Sequence, residues 1–315
     1  MKNNSKIKTW FVTGASSGVG KEVCKQLVER GYNVIAVARR VPEFKGDNVL
    51  ALSVDVTRPE MIDKAVQQGI KKFGNIDVLM NNAGISTNAT LEELNVSELI
   101  NLMDVNFMGS FYTMKALLPH FRKNKNGTII NNTSQSGIAT RLYGSAYCAS
   151  KHALEGLTGA VWCDTKKFCR VMAVELGYFE GTEITKSFPS QATQINEYKN
   201  IPFPYKNDAG CGKNYINNLP NAVSCIIDTA EQNELPRRLM LGHDAIMHIS
   251  AELEQIKKDI KNSKRYVAKC SCIDKDNKKI KVFGITLYKK RIKGKYIYYT
   301  FLGIPLKIFL KKNNL

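Results

Sequence analysis

Short apolar runs alternate with longer amphipathic stretches along most of the chain. Thr9–Thr13 (TWFVT) reads as a buried strand that ends at Gly14, and Asn33–Ala38 (NVIAVA) and residues 49–54 (VLALSV) repeat the pattern. Between the first two, residues 21–30 carry Val23, Leu27 and Val28 at helical spacing, and Gly31 closes the turn. Pro59–Phe73 reads as a helix stopped by Gly74, and residues 76–80 as a strand running into Asn81 and Asn82. A long helical pattern over 96–118 ends at Pro119. A strand follows at 128–131, a helix at 146–166 and a strand at 171–174. Residues 221–232 return to a helix, Arg238–Leu241 forms a short strand, and 244–260 is the last helix of this part.

Strands of four to six apolar residues that alternate with longer helices predict an α/β fold. Its sheet is doubly wound, mostly parallel and covered on both faces. Ligands in that architecture bind beyond the carboxyl ends of the strands. Residues 182–220 break the alternation, being rich in Asn, Pro, Lys and Tyr, and read as a long excursion over the scaffold. Phe179, Phe188, Ile201, Phe203 and Tyr205 would give it an apolar lid, or serve local packing.

Composition changes the picture mainly at the end of the chain. The 315 residues carry a net charge of +18. From 265 to 315 there are 14 basic and 2 acidic residues, a net of +12, so two thirds of the excess sits in the last 51 positions. The predicted organisation is the α/β domain over 1–264 and a basic, β-rich C-terminal extension over 265–315. In the extension, VFGITL and FLGIPL stand nineteen residues apart, each followed by lysine. A solvated β module that docks a partner, contact with an anionic membrane surface, and nucleic-acid binding are the three readings of that extension. Nucleic acid is the least favoured, because no named motif accompanies the basic and aromatic residues.

No window approaches 18 uncharged apolar residues, and the polar, basic start is no secretory signal, so a cytoplasmic protein is expected. Peripheral contact with the cytoplasmic membrane face would come through 265–315. Of the eight cysteines only Cys270 and Cys272 are close, and with four histidines no metal site is expected.

Candidate chemistry begins at the first strand–helix junction. Thr13-Gly14-Ala15-Ser16-Ser17-Gly18-Val19-Gly20 offers bare backbone and a helix N-terminus to a pyrophosphate. A glycine-rich turn without a ligand is the plainer reading. The second strand ends in Ala38-Arg39-Arg40, where an enzyme using NAD commonly has a carboxylate for the ribose 2′-hydroxyl. A guanidinium there can pair with a 2′-phosphate, which favours NADP(H) over NAD(H). Two arginines facing solvent are the alternative. Tyr147 and Lys151 stand at i and i+4, on one helix face. A nearby ammonium stabilises phenolate and tunes the tyrosine for acid–base work.

The ordered set TGASSGVG at 13–20, NNAG at 81–84, Asn106, Ser134 and Tyr147-Cys148-Ala149-Ser150-Lys151 resembles the short-chain dehydrogenase/reductase family, over residues 7–260. The resemblance implies a Rossmann-like fold and an oxidoreductase that transfers a hydride between nicotinamide and a carbonyl or alcohol. Homo-oligomers are also implied. Its catalytic residues would be Asn106, Ser134, Tyr147 and Lys151, with Asn106 ordering a water that relays protons to the lysine. Ser134 stands thirteen residues before Tyr147 and is preferred on that spacing to Ser136.

The implied cofactor contacts are Gly14, Ser16, Ser17, Gly18, Val19, Gly20 and Arg39. Asp55, Val56, Asn82, Ala83, Gly84, Tyr147, Lys151, Gly177 and Thr182 complete the set, with Asn81 supporting the adenosine side. The chain departs from the family at Leu176-Gly177, where the usual pair is Pro-Gly. Leu241-Gly242-His243-Asp244-Ala245 resembles a late segment of many bacterial members; it is given no chemical role, and His243 and His248 read as rim residues. The departures leave a second reading open: a nucleotide-binding scaffold or membrane-associated interaction protein with weak or no catalysis.

Overall fold

The computed structural model describes residues 8–180, 182, 193–199, 201 and 217–266, the backbone of 267–270, and four backbone strands between 279 and 309. The chain divides into two compact units, Met1–Leu253 and Glu254–Leu315.

In the first unit, seven strands form one sheet: β1 (Thr9–Thr13), β2 (Asn33–Ala38), β3 (Val49–Ser53), β4 (Val78–Asn81), β5 (Thr128–Asn132), β6 (Arg170–Leu176) and β7 (Arg238–Leu241). Their order is β3-β2-β1-β4-β5-β6-β7, and every pairing is parallel. Parallel strands need crossovers, and helices supply them. These are α1 (Gly18–Glu29), α2 (Pro59–Phe73), α3 (Val96–Met103), α4 (Gly109–Asn124), α5 (Ser145–Thr165) and α6 (Leu219–Ala230). Alternate strand positions feed two cores. Trp10, Val12, Val34 and Ala36 pack with Leu27 of α1 and Ile226 of α6. Phe11, Ile35 and Val37 pack with Ile62 of α2 and Leu117 and Phe121 of α4. The strand order reverses between β1 and β4, and the crevice beyond their ends is where this topology places a ligand.

Two local terminations differ from the pattern read in the sequence. The helix expected to stop at Pro119 runs to Asn124, with Pro119 inside it. Proline removes one intrahelical donor but does not end a helix whose neighbouring turns are packed, and Leu117 and Phe121 on either side are fully buried. The same stretch is not one helix, because Asp104–Met108 forms a wider π turn between α3 and α4.

The fold expected for the C-terminal part is corrected. Apart from β7, the chain from α6 to Cys270 is helical, and α7 (His243–Cys270) runs through the boundary at 265, so the basic extension opens as helix and not as a β-rich module. The rising charge that marked 260 as an end is mostly Lys and Glu, which are good helix formers. Ile249, Leu253, Ile256 and Ile260 keep an apolar stripe through it. In the second unit, β8 (Lys279–Val282), β9 (Ile285–Lys293), β10 (Tyr296–Phe301) and β11 (Ile304–Phe309) follow as an antiparallel sheet ordered β11-β10-β9-β8. Among the described residues no helix is long and apolar enough to cross a membrane.

Candidate active site

The carboxyl ends of β1, β2, β4, β5 and β6 open into one cavity of about 540 Å³. Its first end is the β1–α1 turn, where Gly14, Ser16, Ser17, Gly18 and Val19 line the wall. Gly14 has φ +66°, and a Cβ there would stand 2.8 Å from the Ala83 Cα. Gly20 lies beneath the turn, where a Cβ would meet the Gly14 carbonyl oxygen at 2.3 Å. Only bare backbone fits in either place. The Thr13 hydroxyl accepts from the amides of Asn82 and Ala83, both at 2.9 Å, which holds the β4 loop against the turn. Ser17 is the N-cap of α1, and its hydroxyl makes no capping bond. The cradle therefore suits a dinucleotide pyrophosphate: bare backbone next to a helix N-terminus.

Arg39 and Arg40 line the same end and are exposed. Asp55 and Val56 line it from beyond β3, and one Asp55 carboxylate oxygen accepts from the Thr57 amide at 2.9 Å. Asn82, Ala83 and Gly84 form the floor toward the second end.

At that second end the cavity meets Ser134, Tyr147, Lys151, Gly177 and Thr182. Tyr147 and Lys151 share a face of α5, and the lysine Nζ stands 5.7 Å from the tyrosine ring centre. Nζ donates to the Asn132 carbonyl at 2.9 Å. Ser134 caps a 3₁₀ turn, Gln135–Gly137, its hydroxyl accepting from the Ser136 amide at 3.1 Å. Ser136 also lines the cavity, but it is the Ser134 hydroxyl that works to lower the Tyr147 phenol.

Asn106 is fully buried in the π turn and lies behind the cavity wall. Its Oδ1 accepts from the Ile85 amide at 2.8 Å, and its Nδ2 donates to the Ile85 carbonyl and to Ser150 Oγ, both at 3.0 Å. It thus ties the loop after β4 to the catalytic face of α5. Thr182 donates to the Phe179 carbonyl at 3.1 Å. Of the expected lid, Phe179 is buried in the core and Ile201 is exposed. Phe188, Phe203 and Tyr205 lie outside the described residues.

Electrostatics separate the pair. Burial pushes the Tyr147 phenol above its usual value, against the lowering effects of the Ser134 hydroxyl and the Arg141 cation. Burial brings the Lys151 ammonium down to about 8, and the Glu155 carboxylate one turn along α5 works against that. Glu155 is itself buried and accepts from Arg238 at 3.2 Å. The proton that acid–base chemistry needs is thus held on the tyrosine at neutral pH. The sequence pattern did not point to Arg141, whose guanidinium stands 5.4 Å from the Tyr147 ring centre. It also missed the Asn132 carbonyl, since a main-chain acceptor has no signature of its own.

The comparisons agree with this geometry. The family model for the short chain dehydrogenase matches residues 8–193. A solved short-chain dehydrogenase from Streptomyces avermitilis superposes with a TM-score of 0.70 at 28% identity, covering 85% of this chain and all of that one. The structure of ElxO with NADP bound gives 0.65 at 25% identity, over 76% of this chain and 99% of that one. A 3-ketodihydrosphingosine reductase from Bacteroides thetaiotaomicron is 39% identical over 188 residues, which is 59% of this chain and 70% of the relative. The sheet order and the glycine cradle define a dinucleotide-binding α/β protein. The chain belongs to the short-chain dehydrogenase family. It is accordingly an NAD(P)-dependent oxidoreductase of carbonyl and alcohol groups.

Proposed function

We propose that the protein is an NADPH-dependent reductase in which Tyr147 gives its proton to the oxygen of an aldehyde or ketone. The observation that carries this reading is the buried Tyr147, held as a neutral phenol by burial and sharing the second end of the cavity with Ser134 and Lys151. A protonated phenol is the form that reduction consumes.

Gly14, Ser16, Ser17, Gly18 and Val19 would hold the pyrophosphate, Asp55 and Val56 the adenine side, and Asn82 to Gly84 the middle of the dinucleotide. Gly177 and Thr182 line the nicotinamide end. Arg39 would pair with the 2′-phosphate and is the basis for preferring NADPH. The reduced nicotinamide, when bound, is the hydride source for this chemistry. Ser134 donates to the substrate oxygen as negative charge grows on it. Tyr147 transfers its proton to the same oxygen, and Lys151, fixed by the Asn132 carbonyl, stabilises the phenolate left behind. Asn106 is a positioning residue for Ile85 and Ser150.

The testing experiment is a carbonyl panel that follows NADPH consumption, with 3-ketodihydrosphingosine included because of the 3-ketodihydrosphingosine reductase among the relatives. Turnover of at least one member, abolished in Tyr147→Phe, supports the reading. NADPH binding without turnover across the panel turns it toward a binding scaffold. The net +12 of residues 265–315 further supports contact with an anionic surface in the cytoplasm. Co-sedimentation with anionic but not neutral lipid vesicles is the expected result, and equal recovery from both refutes it.

A further inference from the structure

Asp244 has no part in the chemistry above, yet its carboxylate is 2% exposed and fully engaged. It lies in the first turn of α7, just beyond β7, whose Leu241 pairs with Leu176 of β6. Three donors from three separate segments meet on its two oxygens. Oδ2 accepts from the Tyr178 amide at 2.7 Å and from Gln135 Nε2 at 3.2 Å. Oδ1 accepts from Asn217 Nδ2 at 2.7 Å. Asn217 Nδ2 also donates to the Tyr178 carbonyl at 2.8 Å, so both main-chain polar groups of Tyr178 end on this cluster. The Gly177 amide donates to the Leu241 carbonyl at 2.9 Å. The approach depends on residue 177 having no side chain, because a Cβ there would stand 2.1 Å from Asp244 Oδ1.

The three segments meet where the cavity needs them. Gln135, Gly177 and Tyr178 line its second end, and Gln135 directly follows Ser134. One turn further along α7, His248 Nδ1 lies 3.1 Å from Gln135 Oε1. Leu176 has no ring to pre-set the backbone as it leaves β6. Hydrogen bonds to an ionised acceptor are stronger than neutral ones, and a buried carboxylate that accepts three of them restrains the chain firmly.

We propose that Asp244 is a positioning residue that sets the nicotinamide wall of the cavity by fastening the Tyr178 backbone and the Ser134 turn to α7. The inference rests on reading this cavity as the NADP(H) site. The other end of the cavity is built by β1, β2 and the loop after β3 and makes none of these bonds to Asp244. A role confined to holding α7 in place would weaken every ligand alike, whereas a wall-setting role weakens only what reaches the wall.

The test compares two probes on full-length wild type, Asp244→Ala and Asp244→Asn. NADPH reaches the wall, while adenosine 2′,5′-bisphosphate carries the adenosine and 2′-phosphate without a nicotinamide. We expect Asp244→Ala to bind NADPH about tenfold more weakly and to lose most of the emission gain of the bound nicotinamide, with adenosine 2′,5′-bisphosphate held within about twofold. Asp244→Asn keeps one acceptor oxygen but turns an amide donor on its neighbours, and should fall between. NADPH affinity and emission within about twofold of wild type in both variants, or equal weakening of both probes, would overturn the proposal. Failure of wild type to bind NADPH would remove the cofactor reading and this inference with it; binding by wild type with unaffected variants would remove this inference alone.

Discussion

The Lys151 ammonium stands 5.7 Å from the centre of the Tyr147 ring and is held there by the Asn132 carbonyl at 2.9 Å. A carbonyl cannot titrate, so the cation keeps its place while the tyrosine changes protonation. Replacing Tyr147 by Phe removes the proton donor and leaves the packing. Turnover should fall by roughly 10²–10⁴ with NADPH affinity nearly unchanged, measured by steady-state kinetics beside fluorescence titration. Undiminished turnover would take the acid role away from Tyr147.

Lys151 also sets a pH dependence. Its ammonium is brought down to about 8, so it is charged below that pH and neutral above it. Carbonyl reduction should therefore decline as pH rises through about 8. Glu155 opposes the lowering, so Glu155→Gln should move the falling limb of kcat/KM to lower pH. A limb that stays where it was would show that another group controls it.

Arg39 directly follows β2 and lines the first end of the cavity. Arg39→Ala should weaken NADPH by roughly tenfold or more, the size of a lost charge-assisted contact, and leave NADH almost untouched. Titration with both dinucleotides decides it, since parallel losses would mean that the arginine does not read the 2′-phosphate.

Gly20→Ala would push a methyl group to within 2.3 Å of the Gly14 carbonyl. Overpacking of this kind costs about 1–3 kcal/mol, or several degrees of Tm in a domain of this size. The displaced turn should also lose NADPH affinity by about tenfold or more. Thermal melts with and without NADPH would show the ligand-induced gain in Tm shrinking. An unchanged gain would mean that the turn is not the phosphate cradle.

The parallel sheet could be read from the sequence because strands covered on both faces are apolar throughout, as TWFVT and NVIAVA are. The glycine turn and the Tyr147–Lys151 pair could be read because each lies within eight residues of chain. What escaped notice depends on distance. Gln135, Tyr178 and Asn217 meet Asp244 from 109, 66 and 27 residues away, and no local pattern records that meeting. The helix ends at Asn124 and Cys270 were missed for a different reason. A proline and a run of charge are weak stop signals once the flanking turns are good helix.

The π turn Asp104–Met108 widens the helix by a residue, which rotates everything beyond it by about 100° about the axis. Without that phase shift, Asn106 and the α4 face carrying Thr113, Leu117 and Phe121 would compete for one direction. With it, the helix serves two clients: its first half turns toward α5 and the loop after β4, its second half toward the sheet. Deleting a single residue here would put the two halves out of step, and damage to the active site or to the core would follow according to which half kept its setting.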